Sequence, residues 1–201
     1  MRKNKILKLF YKIPTIKTER LVLRGLREED SSDMYEYAGE LPVTEFLLWS
    51  PHESEKFTRS YLKSIEARYR LGDFFDWAVT LSDSGKMIGT CGFTSIDFKN
   101  NSAEIGYVIN PKYHGMGYGF EAARRIVDFG FSELELHRIE AKFMQGNERS
   151  LRVMQKLGME FEGYKKDLML VKGEYKTIGS CGLLRDDYML KKEKENKDQQ
   201  A

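Results

Sequence analysis

The chain has 201 residues, with 33 basic and 31 acidic side chains, 41% hydrophobic residues and only 4 Pro. A chain this long buries roughly 70% of its unfolded surface, so no disulfide or metal is required as a staple, and the composition excludes wholesale disorder. The net charge of +2 is unevenly spread: residues 1–14 carry +5 and residues 191–201 carry +1, leaving −4 on the body 15–190, the reverse of a nucleic-acid-binding face.

The first segment sets Arg2, Lys3, Lys5, Lys8 and Lys12 among Ile6, Leu7, Leu9 and Phe10. No small-residue cleavage site follows it, so it is not read as a signal peptide. Among an anionic-surface anchor, an amphipathic cap and a passive extension, the last is expected, because one short patch binds membranes only marginally. No apolar stretch approaches the roughly 20 residues of a membrane span. Cys91 and Cys181 would pair only in an oxidising compartment, so a reduced, cytoplasmic protein is expected.

From residue 15 the chain alternates strand and helix patterns. Leu21–Leu23 reads as a short strand, and Glu28-Glu29-Asp30 opens a helix whose apolar face is Met34, Tyr37 and Ala38. Acids in a first turn suit the positive end of the helix dipole. Ser54 N-caps a second helix with Phe57, Tyr61, Leu62, Ile65 and Tyr69 at helical spacing. A meander follows: Trp77–Leu81, a turn at Asp83–Lys86, Met87–Phe93, a turn at Asn100-Asn101, and Ala103–Ile109. Phe74, Phe75 and Trp77 are read as sheet packing.

The second half predicts a helix over Tyr118–Glu133, a strand over Arg138–Met144, and a helix over Glu148–Leu157 stopped by Gly158. Strands near 159–169 and 178–190 close it, and residues 191–201 read as a charged, disordered tail. The order β-α-α-β-β-β-α-β-α-β-β predicts an α/β (α+β) mixed sheet in a single domain over residues 15–190.

The chemistry is concentrated in Asn110-Pro111-Lys112-Tyr113-His114-Gly115-Met116-Gly117-Tyr118-Gly119-Phe120. A strand ends, three glycines recur at alternate positions, and a helix begins. Glycines admit a ligand close to the backbone, and a helix start offers unpaired N–H groups, together an anion site. A P-loop would need Lys-Ser/Thr after the last glycine, and a dinucleotide fold a different spacing after its first strand. Neither fits.

The stretch Ala103–Pro111 running into His114–Gly119 resembles the acetyl-CoA motif of the GNAT N-acetyltransferases, Gln/Arg-x-x-Gly-x-Gly/Ala, with His114 in the Gln/Arg place. Gly146-Asn147-Glu148-Arg149-Ser150 through Lys156-Leu157-Gly158 to Glu162-Gly163 is similar to a block of the ribosomal-protein-alanine N-acetyltransferase branch. So are Thr18–Arg24 and Gly182–Tyr188. The resemblance covers roughly residues 15–190. It implies a GNAT-like acyl-CoA N-acyltransferase fold with a splayed central sheet, and acetyl transfer from acetyl-CoA to a primary amine, foremost a protein N-terminus. The alternatives are a small-molecule amine acetyltransferase (polyamine, amino sugar or antibiotic) and a non-catalytic acyl-CoA-binding module.

The resemblance also assigns expectations to residues. Backbone of Tyr107, Val108 and Ile109 would pair with the pantetheine amides, with an N–H near Ile109 meeting the acetyl carbonyl. His114, Gly115, Met116, Gly117, Tyr118, Gly119 and Phe120 would hold the pyrophosphate, with Gly117 kept bare because a side chain would fill the phosphate's volume. Asn147 would contact the cofactor and Ser150 protonate the leaving thiolate; i,i+3 spacing puts both on one helix face. Asn147 also reads simply as the helix N-cap.

Glu104 is the expected general base, with Asp167, Glu162 and His137 as further candidates. Phe46, Trp49 and Asp167 would border the acceptor. The family often has Asp where this chain has Thr177, and Tyr where it has Cys181. His52, His114 and His137 have no metal-ligand spacing with the cysteines, so no metal is expected. Expected partners are the amine acceptor alone, with no nucleic acid and no membrane span, in a monomer or homodimer.

Overall fold

The computed structural model describes residues 2–198. Its central feature is one sheet of eight strands: β1 (Ile16–Lys17), β2 (Leu21–Arg24), β3 (Phe75–Leu81), β4 (Met87–Asp97), β5 (Ser102–Ile109), β6 (Arg138–Met144), β7 (Glu160–Val171) and β8 (Glu174–Leu184). The spatial order is β1-β2-β3-β4-β5-β6-β8-β7. Every neighbouring pair is antiparallel except β5 and β6, which run parallel. A parallel pair needs a crossover, and α5 (Tyr118–Ser132) supplies it. The mixed α/β sheet expected from the sequence is what the chain forms.

Helices cover both faces, so central strands are apolar on both sides instead of alternating. Trp77, Val79, Cys91, Phe93 and Ile105 join one core cluster with Ala122, Ile126, Val127 and Phe131 of α5. Ala78 and Met87 join a second with Met34, Tyr37 and Ala38 of α2 (Ser31–Ala38), and Leu62, Ile65 and Tyr69 of α4 (Glu55–Leu71). α4 begins and ends as its sequence dictates. The Ser54 hydroxyl accepts from the Phe57 N–H at 3.1 Å, and Gly72 closes the helix in the left-handed region at φ +68°. The helix expected to open at Glu28 begins as a 3-10 turn over Glu28–Asp30 before α2, while a four-residue helix, α3 (Leu41–Thr44), and a 3-10 turn at Pro111–Tyr113 were not anticipated.

Both ends of the chain correct the sequence reading. Arg2–Tyr11 is a helix, α1, and no passive extension: Ile6 and Phe10 are 4% and 0% exposed within the main core. The Phe10 ring stands edge-on to Phe75 at 4.7 Å and to Trp77 at 5.5 Å. Two apolar residues four apart give a helix one buried stripe, which the surrounding lysines disguise. At the other end β8 stops at Leu184, and Arg185–Asp198 forms α7. Residues 185–190 are therefore helical where a strand was expected, and the expected disordered tail continues that helix to Asp198. Asp186 and Asp187 sit in its first turn, where the dipole favours acids. Residues 199–201 lie outside the described residues. Among the described residues no helix is long and apolar enough to cross a membrane.

Candidate active site

The site begins where the two parallel strands part. β5 and β6 pair only from Ser102–Arg138 to Ile105–Ala141. Beyond that point Gly106–Ile109 keep β4 as their partner, while Lys142–Met144 keep β8. The sheet is thus split into a V, and one edge of β5 is left without a strand. Such an edge accepts an extended chain of amides as an added strand.

The mouth of the V is framed by the glycine loop. Asn110 is 1% exposed, and its Oδ1 accepts from the Lys112 N–H at 3.0 Å, fixing the turn that follows β5. His114 folds back so that Nε2 donates to the Ile109 carbonyl at 2.7 Å, while Nδ1 accepts from Arg149 at 3.3 Å. Gly115 and Gly117 take φ +78° and +84°, so the loop's path requires them. Gly117 is the N-cap of α5 and supplies no capping side chain. The leading N–H groups of Tyr118, Gly119 and Phe120 therefore face outward at the positive end of a 15-residue helix.

Arg20, unremarked in the sequence reading, braces this loop. Its guanidinium donates to the Met116 carbonyl at 3.0 Å, pairs with Glu121 at 2.6 Å and lies 4.5 Å over the Tyr118 ring. Thr18 Oγ1 and the Arg20 N–H donate to the other Glu121 oxygen at 2.6 and 2.9 Å. A Cβ on Gly117 would stand 3.3 Å from the Arg20 guanidinium, so backbone conformation and Arg20 both favour a bare residue at this position. Beside the loop, a small cleft is lined by Phe120, Arg124, Lys156, Gly158, Tyr188 and Lys191.

The floor of the V is built by Tyr107 of β5 and α6 (Glu148–Lys156). Asn147 is the N-cap of α6: its Oδ1 accepts from the Ser150 N–H at 3.1 Å. That cap turns the first residues of α6 toward β5. The Tyr107 phenol donates to the Ser150 carbonyl at 3.1 Å and lies 3.0 Å from Ser150 Oγ. Burial raises the Tyr107 pKa far above its ordinary value, so the phenol stays neutral at working pH. Two hydroxyls in contact form a short relay able to hand on a proton. The sequence reading used only the backbone of Tyr107.

The other expected residues are placed unevenly. Glu104 lies on β5 just below the parting, but its carboxylate is paired with Lys142 at 2.5 Å. Glu162 is likewise tied to Arg138 at 2.5 Å. His137 is exposed and its N–H bonds Asn101, at the end of β5 away from the loop. Asp167 is exposed on a bulge of the outer β7–β8 hairpin at φ +49°, with its N–H on Thr177 Oγ1 at 3.3 Å.

Phe46 packs on Met144, Val171 and Ile178, residues of β6, β7 and β8. Trp49 packs on the α2–α4 cluster, beside His52. Segment 46–49 thus spans from one arm of the V to the other, and the Lys172 ammonium donates to the Thr44 carbonyl near its start. Among the described residues no three His, Cys, Asp or Glu side chains converge as metal ligands.

Residues 20–160 match the family described as acetyltransferase (GNAT) domain. A relative from Bacillus licheniformis, the uncharacterized N-acetyltransferase p20, is 32% identical over 174 residues, 87% of this chain and 98% of the relative. The ribosomal protein uS5-alanine N-acetyltransferase of Escherichia coli is 28% identical over 178 residues, 85% of this chain and 91% of that enzyme. Among solved structures, a GNAT-family acetyltransferase from Bacillus anthracis superposes with a TM-score of 0.77 at 31% identity, covering 86% of this chain and 99% of that one.

Proposed function

The chain belongs to the GNAT acetyltransferase family, and from that membership we propose that it transfers the acetyl group of acetyl-CoA to a protein N-terminal amino group. The parted strands carry the reading: a free β5 edge at Gly106–Ile109, a glycine loop at its mouth and a hydroxyl pair at its floor. Acetyl-CoA suits that arrangement part by part. Its pantetheine amides match a strand edge that lacks a partner, and its pyrophosphate matches the outward N–H groups at the start of α5. The cations beside the loop, Arg124, Lys156 and Lys191, match a further phosphate.

In this reading the amine attacks the thioester carbonyl carbon directly. As the carbon–sulfur bond breaks, Ser150, with Tyr107 behind it, supplies the proton that the thiolate takes. Asn147 keeps Ser150 aimed by capping α6. An α-amino group, with a pKa of about 7.7–8.0, needs only a modest base. The protein acceptor is supported by the relative that acts on ribosomal protein uS5.

The test is calorimetric titration with acetyl-CoA, followed by CoA release with an alanine-initiated peptide, a polyamine and an amino sugar. Micromolar binding and fastest turnover of the peptide are expected. Binding with no turnover of any amine would leave an acyl-CoA-binding module, and a folded protein that does not bind would remove the reading.

A further inference from the structure

The cleft beside the glycine loop is closed on one side by the C-terminal helix. α7 lies beyond residues 20–160, the stretch matched by the acetyltransferase domain family. It is seated on α5: the Tyr188 ring stands 5.1 Å from Phe131, and the Tyr188 hydroxyl and the Lys192 ammonium both donate to Asp128. The cleft then has three walls. Phe120 and Arg124 come from α5, Lys156 and Gly158 from the end of α6, and Tyr188 and Lys191 from α7.

Charge in this cleft is one-sided. Arg124, Lys156, Lys191 and Lys192 line it, and among the described residues no acid does. Lys192 is spent on Asp128, but among the described residues no carboxylate pairs with Lys156 or Lys191. Lys191 donates instead to the Gly158 carbonyl at 3.3 Å. Gly158 has φ +85°, and a Cβ there would stand 2.9 Å from Lys191 Nζ. The bare residue is what lets the ammonium reach over the end of α6. One cation at the negative end of a helix is ordinary capping. Lys156 in the last turn of the same helix, with Arg124 on the neighbouring wall, adds like charge that a bound anion relieves.

Position narrows the choice of anion. Phe120 contributes its N–H to the outward set at the start of α5 and also lines the cleft. Arg124 follows four residues later, about 6 Å along the helix axis. In coenzyme A the ribose that carries the pyrophosphate also carries a 3′-phosphate, a monoester with a charge of about −1.5 to −2 at pH 7. A pyrophosphate held by the first N–H groups of α5 leaves that monoester one ribose away. We propose that the cleft holds the 3′-phosphate, with Lys156 and Lys191 as its ligands, so that α7 makes the protein select coenzyme A over its 3′-dephosphorylated form. The inference rests on the acetyl-CoA reading and deepens it. Lys191 leaves the Gly158 carbonyl for the phosphate oxygens, while Lys192, held by Asp128, keeps the helix in place.

Calorimetric titration with coenzyme A and with 3′-dephospho-coenzyme A tests this on wild type, Lys156→Ala, Lys191→Ala, the double variant and Lys63→Ala. Wild type is expected to bind coenzyme A about 30-fold tighter than the dephospho form. Each single variant should weaken coenzyme A about fivefold and leave the dephospho form within about twofold, and the double variant should bring the ratio below about threefold. Lys63, exposed on α4 over the other face of the sheet, is the charge control and should change neither affinity. Equal wild-type affinities, a ratio unchanged in the double variant, or a ratio lowered as much by Lys63→Ala would overturn the assignment and leave the acetyl-CoA reading standing. A Lys191→Ala variant that melts lower with its ratio intact would also overturn it, because Lys191 would then only cap α6. A folded wild type that binds neither form would remove both.

Discussion

The Tyr107 and Ser150 hydroxyl oxygens meet 3.0 Å apart at the floor of the cleft, one from the strand that leaves the sheet and one from the first turn of α6. Either hydroxyl can donate to the other, and the phenol also reaches the Ser150 carbonyl, so the two behave as one proton-holding unit. Ser150→Ala and Tyr107→Phe should each lower kcat by ~10²-fold with acetyl-CoA affinity little changed. Because the hydroxyls act together, the double variant should lose far less than the product of the single losses. Initial rates of CoA release at saturating acetyl-CoA measure all three; a fully multiplicative loss would separate the roles.

Gly115 and Gly117 share a left-handed backbone but not a neighbourhood. A Cβ on Gly115 meets nothing within 4 Å, whereas one on Gly117 comes 3.3 Å from the Arg20 guanidinium. Alanine at either site pays a strain of ~1–2 kcal/mol, but only Gly117→Ala also presses on the brace. Thermal melting should therefore show similar losses for the two variants. Calorimetry should show the larger loss of acetyl-CoA affinity for Gly117→Ala.

The brace gives the loop a pH signature. Burial pushes the Glu121 pKa up, but hydrogen bonds from Thr18 and Arg20 outweigh it and hold the carboxyl below its ordinary value. A folded-state pKa below the unfolded one stabilises the protein fully above the unfolded value of about 4.3, and that stability is lost as pH falls through the folded value. Glu121→Gln should cost about 1 kcal/mol at pH 7, and the gap between the two melting temperatures should close below about pH 4. A gap that is constant from pH 7 to pH 3 would show that Glu121 acts through packing alone.

How much of this was legible beforehand follows from the kind of signal each part leaves. Ser54 and Gly72 announce the ends of α4, and the glycine loop marks the mouth of the site, because turns and caps demand particular residues. The split between β5 and β6 leaves no local mark: it depends on which strands become neighbours, and Gly106 reads like any strand glycine. Arg20 is one charged residue in a short segment, and its bond to Met116, 96 residues away, has no periodicity to betray it. The reading of 185–190 as strand failed because Tyr188, Met189 and Leu190 are apolar in succession, while the first-turn acids that favour a helix carry less weight.

The N-terminal helix has the same concealment, and its contribution can be measured directly. Phe10 is fully buried against Phe75 and Trp77, and the Trp77 indole N–H donates to the Pro14 carbonyl at 2.8 Å just beyond the helix. The helix therefore covers the β3 residues on the face opposite Ala78. Phe10→Ala should cost ~3–5 kcal/mol, lowering the melting temperature by roughly 10 °C for a chain of this size. Lys8→Ala, on the exposed side of the same helix, should stay within about 0.5 kcal/mol of wild type. If the basic charges and not the buried ring anchored this segment, the order would reverse: Lys8→Ala would destabilise, more so at low salt, and Phe10→Ala would melt like the wild type.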